Sequence, residues 1–302
     1  FCACSLEEKP TSFDNRDTFY KNETQCIAAV KSCYYPLSSV YTSSCALMTE
    51  ACTDIWYSQT STVDAVLDVT PAKPQFGKTA WTNCYKGIMR CNECIECIGK
   101  CSLSDEIKLP LVAEARVMRA MYYYFLTCTF NGVPYYEYMV KDDETLAEIR
   151  TLPRTDAAVI REKIYNDLRD NAIPYFTREN GLMVRASEAP EQRAGYAFGL
   201  LLMAKCALWD KHYESALEPL KKIEELYGVF SEERYPLRDI MWRYKNTMES
   251  IFEIQHDYQL DGVRAAGSIA RMMMPTYNGT PEQPYLYNNV SIPSLGSDAV
   301  KW

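Results

Sequence analysis

The sequence predicts an all-α fold in which helix hairpins stack side by side as an α–α superhelix, joined by long irregular loops. Two observations carry that expectation. Apolar residues recur at steps of three and four in one segment after another. Those segments end on prolines, glycines and asparagines, which halt helices. Composition agrees: 302 residues, 47% hydrophobic and 24% charged, describe a globular chain with enough apolar material for a sizeable core.

Taken in order, Ile27, Val30 and Tyr34 make one face of a helix over 24–35, which Pro36 stops. A second helix runs over about 78–100, with Trp81, Cys84, Ile88, Cys91 and Ile95 on one stripe. A third spans about 111–130 and ends in the turn Asn131-Gly132-Val133-Pro134. Residues 161–172 form a fourth. Residues 191–209 and 213–226 read as two antiparallel helices about the short Asp210-Lys211-His212 turn. Ala197, Ala204, Leu208 and Tyr213 through Ala216 put small residues where that pair meets, as in a tetratricopeptide unit. No strict repeat period shows elsewhere, so the hairpins are expected to be irregular. Segments 36–77 and 135–153 lack periodicity and read as long loops, where binding usually sits over a rigid frame. Beyond Gln255 the chain is rich in Pro, Asn, Gly and Tyr and reads as loop without a closing helix.

Charge and composition narrow the function. Lys plus Arg total 32 against 40 acidic residues, a formal charge of −8 without any basic cluster, which argues against a nucleic-acid partner. No apolar run reaches the roughly 18 residues of a membrane-spanning helix. Two histidines, His212 and His256, leave little material for His-based catalysis or a multi-His metal site, and no cofactor is implied. The set of 23 Tyr, 5 Trp and 10 Phe exceeds what a core alone invites. An aromatic face packs on the apolar face of a pyranose while polar neighbours bond its hydroxyls, so sugar binding suits this surplus.

The 13 cysteines are odd in number and spread through helical segments, which does not suit a complete disulfide framework. Cys91, Cys94, Cys97 and Cys101 copy the spacing of a ferredoxin ligand run. Ser102 stands where that run has proline, no second cysteine run follows, and ten residues of helix would separate Cys91 from Cys101 by about 15 Å. Packing of these thiols as small hydrophobes is therefore the expectation, ahead of a metal or cluster site. Asp105-Glu106, Asp142-Asp143-Glu144 and Glu232-Glu233 are carboxylate pairs, but adjacent acids in polar stretches do not face each other across a cleft as hydrolysis requires. They read as solvated surface. No Gly-rich phosphate loop, Gly-x-Ser-x-Gly elbow or His-Glu-x-x-His helix is present.

At the amino end, Phe1-Cys2-Ala3-Cys4 followed by polar Ser5 to Pro10 fits the tail of a bacterial lipoprotein signal, with Cys4 as the lipidated residue. An ordinary terminus with two cysteines is the competing reading. Trp56 and Tyr57, beside Ser58, Gln59 and Thr60, offer a stacking platform with hydroxyl-bonding neighbours. Packing of that loop onto the frame explains them equally well. Tyr258, Tyr277, Tyr285 and Tyr287 are further candidates, because they lie in loop rather than on a helix stripe.

A resemblance then emerges from residues in order. Cys4, Glu7, Glu8 and Pro10 precede Phe19-Tyr20, and Glu50 and Asp54 form an acidic pair ahead of a loop. Trp81, Tyr85, Ile88 and Asn92 follow at helical spacing. Next come Glu114-Ala115, Arg119-Ala120, Tyr123-Tyr124-Phe125-Leu126 and Phe130-Asn131-Gly132-Val133-Pro134. Asp167-Leu168, Ala204-Lys205, Leu208, Tyr213, Ala216 and the run Glu249 to Gln255 complete the pattern. Over about residues 4–256 it resembles the SusD/RagB family.

The resemblance implies a lipid-anchored protein on the outer-membrane surface of a Bacteroidetes-type bacterium. Its scaffold would be tetratricopeptide-like, packed on a loop-rich half. It would bind oligosaccharide through loop aromatics, act as the lid of a SusC-like TonB-dependent transporter, and break no bond. Residues 1–4 would be the signal remnant and lipidation site, and 5–302 the family domain. Its helical scaffold would cover about 15–256, with a loop-rich and shortened segment at 257–302. Asp54, Trp56, Tyr57 and Tyr277 are the expected ligand contacts. A helical-repeat scaffold for peptides and a glycoside hydrolase are the alternatives.

Overall fold

The structure, a computed structural model, describes residues 19–41, 75–188, 193–229 and 246–254, with short pieces at 45, 48–49, 57–58, 231, 275–276, 286–287 and 290–291. Its helices are α1 (Glu23–Ser32), α2 (Leu37–Val40), α3 (Gln75–Lys100), α4 (Asp105–Phe130), α5 (Asp143–Thr151), α6 (Ala157–Asn171), α7 (Tyr196–Trp209) and α8 (Tyr213–Tyr227). Among the described residues there are also six two-residue strands: β1 (Tyr57–Ser58), β2 (Val133–Pro134), β3 (Arg154–Thr155), β4 (Pro275–Thr276), β5 (Leu286–Tyr287) and β6 (Val290–Ser291). The expected all-α class holds, with strands serving only as short clasps.

The chain divides into two compact units, Phe1–Cys33 with Ile88–Phe252, and Tyr34–Gly87 with Glu253–Trp302. The segments read as loops from sequence, 36–77 and the stretch beyond 255, thus fall mostly in the second unit.

In the first unit α4 is the axis on which α1, α6 and α7 pack, while α6 packs on α7 and α7 on α8. Its sequence explains that position. From Leu111 to Thr127 it buries residues on every side, among them Val117, Met118, Tyr122 and Leu126. A helix apolar all round belongs in a core. α7 has the same character, and Gly199 allows its closest approach: a Cβ there would lie 3.0 Å from Ile173 Cδ1 and 3.4 Å from Val117 Cγ2. α8 buries only Ala216, Pro219 and Tyr227, so it covers the outside of the stack. The α7–α8 pair turns at Asp210 to His212, where the sequence places the hairpin.

Caps set the helix starts. Asn22 accepts a bond from the Gln25 amide at 2.9 Å and opens α1. Asp156 does the same for α6 through the Ala158 amide at 2.8 Å. α4 begins at Asp105, six residues before the sequence expectation, because Pro110 lies inside the helix rather than at its start.

Segment 135–153 is not simply a loop. α5 occupies residues 143–151, capped by Asp142 through the Thr145 amide at 2.8 Å. It buries no residue, so it carries no apolar stripe by which a helix is read. Beside it, β2 and β3 pair antiparallel, Val133 opposite Thr155 and Pro134 opposite Arg154. Gly132 makes that clasp possible, since a Cβ there would meet the Thr155 carbonyl oxygen at 2.6 Å.

In the second unit, Leu37 and Val40 of α2 and Ala80 and Cys84 of α3 are buried. β1 pairs with β6, Tyr57 opposite Ser291, and β4 pairs with β5, Pro275 opposite Tyr287.

Candidate functional site

Of the expected ligand contacts, Asp54, Trp56 and Tyr277 lie outside the described residues, as does the lipidation candidate Cys4. Tyr57 enters through its backbone alone, as the first residue of β1. The described aromatics therefore set the question of where a sugar could stack.

Trp81 and Tyr85 are one such group. They stand one turn apart on α3, and a four-residue step puts both side chains on one face. Their ring centroids are 5.1 Å apart with planes inclined at 48°, and both rings are half-buried. Polar side chains surround them: Lys78, Thr82 and Lys86 are exposed. Asn83 is steadied by donating from Nδ2 to the Thr79 carbonyl at 2.9 Å. Two inclined rings with donors at their rim can hold the apolar face of a sugar ring and bond its hydroxyls.

The sequence assigned Trp81 to the buried stripe of its helix. Cys84, Ile88 and Cys91 of the expected stripe are buried, and the buried stripe continues through Ala80, Cys94 and Ile98 rather than Trp81 and Ile95. Trp81 and Tyr85 lie at its edge. Their four-residue spacing amid Lys, Thr and Asn was the signal available.

A second aromatic group sits beside α4 and differs in kind. Tyr123 and Tyr135 approach to 4.6 Å between centroids. The Tyr123 hydroxyl donates to the Tyr136 carbonyl at 2.7 Å and accepts from the Tyr136 amide at 3.0 Å. Burial raises the Tyr135 and Tyr136 hydroxyls well above the usual phenol range. Arg119, 3% exposed, donates to Asn92 Oδ1 at 2.8 Å, to Asp167 at 2.8 Å, and to both the carbonyl and the carboxylate of Glu137. Burial alone would lower its pKa; Asp167 and Glu137 more than offset this and raise it. Arg116 bonds the other oxygen of Asp167. These groups are committed to one another.

The residues carrying the resemblance thus have scaffold roles. Glu114, 1% exposed, accepts a forked contact from Arg193. Arg161 forks onto Asp210 at the end of α7, its Nε 2.8 Å from Oδ2. Buried charges need such partners. On α4, these residues specify how the helices lock.

Of the carboxylate pairs singled out from sequence, Glu232-Glu233 lies outside the described residues and the other two are described. Asp105 and Glu106 line an open cleft of about 540 Å³ with Tyr175, Glu179 and Asn180. Glu179 is held below the usual carboxylate range, chiefly by a backbone amide. Glu96, Asp142, Asp170 and Glu218 are likewise lowered by hydrogen bonds from Lys100, Thr145, Arg169 and Lys222. A glycosidase acid needs the opposite shift. Cys91, Cys94 and Cys97 ride on α3, and among the described residues no group of three or more His, Cys, Asp or Glu is placed to hold a metal ion.

Comparison with known proteins bears on this geometry. Residues 6–198 match the SusD-like family described as starch-binding and associating with the outer membrane. A SusD-like protein, P25, of Formosa agariphila is 25% identical over 240 residues, covering 74% of this chain and 43% of its own. A SusD-like crystal structure from Bacteroides fragilis superposes with a TM-score of 0.64 at 22% identity, over 79% of this chain and 46% of that one. Surface glycan-binding protein A from Bacteroides thetaiotaomicron, in complex with laminarihexaose, superposes with a TM-score of 0.67 at 19% identity, over 90% of this chain and 59% of that one. The chain spans less than half the length of the first two.

Proposed function

The chain belongs to the SusD-like family, and on that premise we propose that it captures glycan at the cell surface and delivers it to a SusC-like TonB-dependent transporter in the outer membrane. Family membership supports the reading, and the half-buried Trp81–Tyr85 pair with its polar rim is the observation that carries it to the residues. Trp56, Tyr57, Asp54 and Tyr277 are proposed to contribute from the second unit. Lipid on Cys4 would hold the chain at the membrane, since a multiply acylated cysteine anchors where one chain binds only marginally. Capture proceeds by stacking and hydrogen bonding, without bond cleavage.

A protein partner has support of its own. Trp209, Tyr213 and Leu217 are 53%, 64% and 51% exposed, and Leu220 continues the row one turn on. An apolar row of this kind at the α7–α8 hairpin suits contact with another protein. A peptide-binding scaffold would use the same row, and glycan binding separates the two readings.

The test is isothermal titration of the chain against soluble polysaccharides, starch and laminarin included, with Trp81→Ala, Trp56→Ala and Tyr57→Ala in parallel. Binding of one glycan class without release of reducing ends, weakened by at least one substitution, is expected. Reducing ends in the supernatant would mean an enzyme, and no binding to any glycan would favour the scaffold reading.

A further inference from the structure

Two helices of the first unit face each other with cysteines in register. Cys26 and Cys33 stand seven residues apart on and just beyond α1; Cys94 and Cys101 stand seven apart on and just beyond α3. Seven residues are close to two turns, so each pair shares one face of its helix. Cys33 Sγ lies 3.6 Å from Cys94 Sγ. Cys26, two turns back along α1, lies close enough to Cys101, two turns forward along α3, for the two thiols to act on each other. Equal steps in opposite directions mean that the helices run antiparallel and that the thiols meet pairwise. The spacing within 91–101 alone suggests a cluster run; the partners are on another helix.

We propose that Cys33–Cys94 and Cys26–Cys101 are sites of disulfide formation, which cross-link α1 to α3 in the exported protein. Each cross-link forms one sulfur–sulfur bond and breaks two S–H bonds, and the two protons end on the carrier's thiols. The two electrons pass by thiol–disulfide exchange to a disulfide-bonded carrier protein, whose own bridge is reduced to two thiols. The exchange belongs to folding, before α1 and α3 close on each other. Afterwards neighbouring thiols and burial push Cys33 and Cys94 up, burial pushes Cys26 up, and the reactive thiolate is suppressed. The same burial would shield a formed bridge from reductants. The partners in the first pair are 61 residues apart, so closing that loop restricts the unfolded chain substantially.

Cys91 is the competitor, because it too lies near enough to act on the Cys33 thiol. The register decides against it: pairing Cys33 with Cys91 would break the matched seven-residue steps. The sequence allows the two to be separated, since Glu93, Glu96 and Lys100 place a cleavage site between each pair of neighbouring cysteines from 91 to 101.

The chain exported to a bacterial periplasm, alkylated with iodoacetamide at lysis and digested without reduction at Glu and Lys, provides the test. Peptides linked through Cys33–Cys94 and Cys26–Cys101 are expected, each lighter by two hydrogens than its separate halves. Dithiothreitol is expected to lower the melting midpoint by about 10 °C and to leave a chain carrying Cys33→Ala, Cys94→Ala, Cys26→Ala and Cys101→Ala unmoved. Complete alkylation of all four cysteines at lysis would overturn the proposal. So would a Cys33–Cys91 link, or links that arise only after purification in air.

Discussion

The two aromatic groups are built from similar residues and have opposite fates. Tyr123, Tyr135 and Tyr136 lie against α4, where the Tyr123 hydroxyl both donates to and accepts from the Tyr136 backbone. Trp81 and Tyr85 keep their rings partly in solvent at the edge of the buried stripe of α3. The difference shows that an aromatic-rich composition has two uses, and that the partners of the polar tips separate them. A phenol closed on its own backbone is a strut. A half-open ring pair with lysine, threonine and asparagine around it is where the proposed function places a ligand.

The sharpest way to break that contrast is at Arg119. Replacing it with methionine removes the buried guanidinium that joins Asn92, Asp167 and Glu137 and leaves Arg116 as the cation on Asp167. A loss of about 3–5 kcal/mol is expected in urea unfolding, and glycan affinity should fall only as far as the folded fraction does. Tyr123→Phe is the milder version. It strands the Tyr136 amide and carbonyl and should cost about 1–3 kcal/mol by the same measurement. Trp81→Ala is the mirror experiment: a roughly tenfold rise in the glycan dissociation constant, worth about 1.4 kcal/mol, with a nearly unchanged melting midpoint. If Trp81→Ala unfolds the chain as Arg119→Met does, the two groups are not distinct and the candidate site is lost.

Smaller effects refine the picture. Asp142→Ala removes the cap of a helix that buries nothing, so it should speed amide exchange over 143–151 without moving the global midpoint. In the chemically reduced protein, stability should depend on alkaline pH. Burial raises Cys26 from 9.0 to about 12, and also raises Cys84 and Cys206. A group whose folded pKa is raised stabilises fully below its unfolded value and loses that contribution as pH rises. Stability should therefore hold to about pH 9 and decline towards pH 12, as followed by circular dichroism. A flat profile across that window would mean that these thiols titrate in the folded chain as they do in the unfolded one.

Helix α4 could be read along the chain because its apolar positions recur locally and the turn at Asn131-Gly132 marks its end. The hairpin at Asp210 to His212 was legible for the same reason. α5 was not, since a helix with no buried residue leaves no periodic trace. Trp81 was misassigned because a stripe of small thiols beside it carries the buried face. The ligand candidates Asp54, Trp56 and Tyr277 lie outside the described residues and stand as proposals.

Amino-acid order is sufficient for what depends on neighbours within a few turns: helix periods, caps, stops, and the ordered residues that mark the family. Partnership across the fold is another matter. Glu114 meets Arg193, 79 residues away, and Arg161 meets Asp210, 49 residues away. Nothing in the spacing of those residues specifies the pairing. A buried charge must find its counterion wherever the packed helices bring one, and a thiol faces whichever helix closes over it. Those outcomes belong to tertiary packing, because they follow from desolvation and contact in three dimensions rather than from position along the chain.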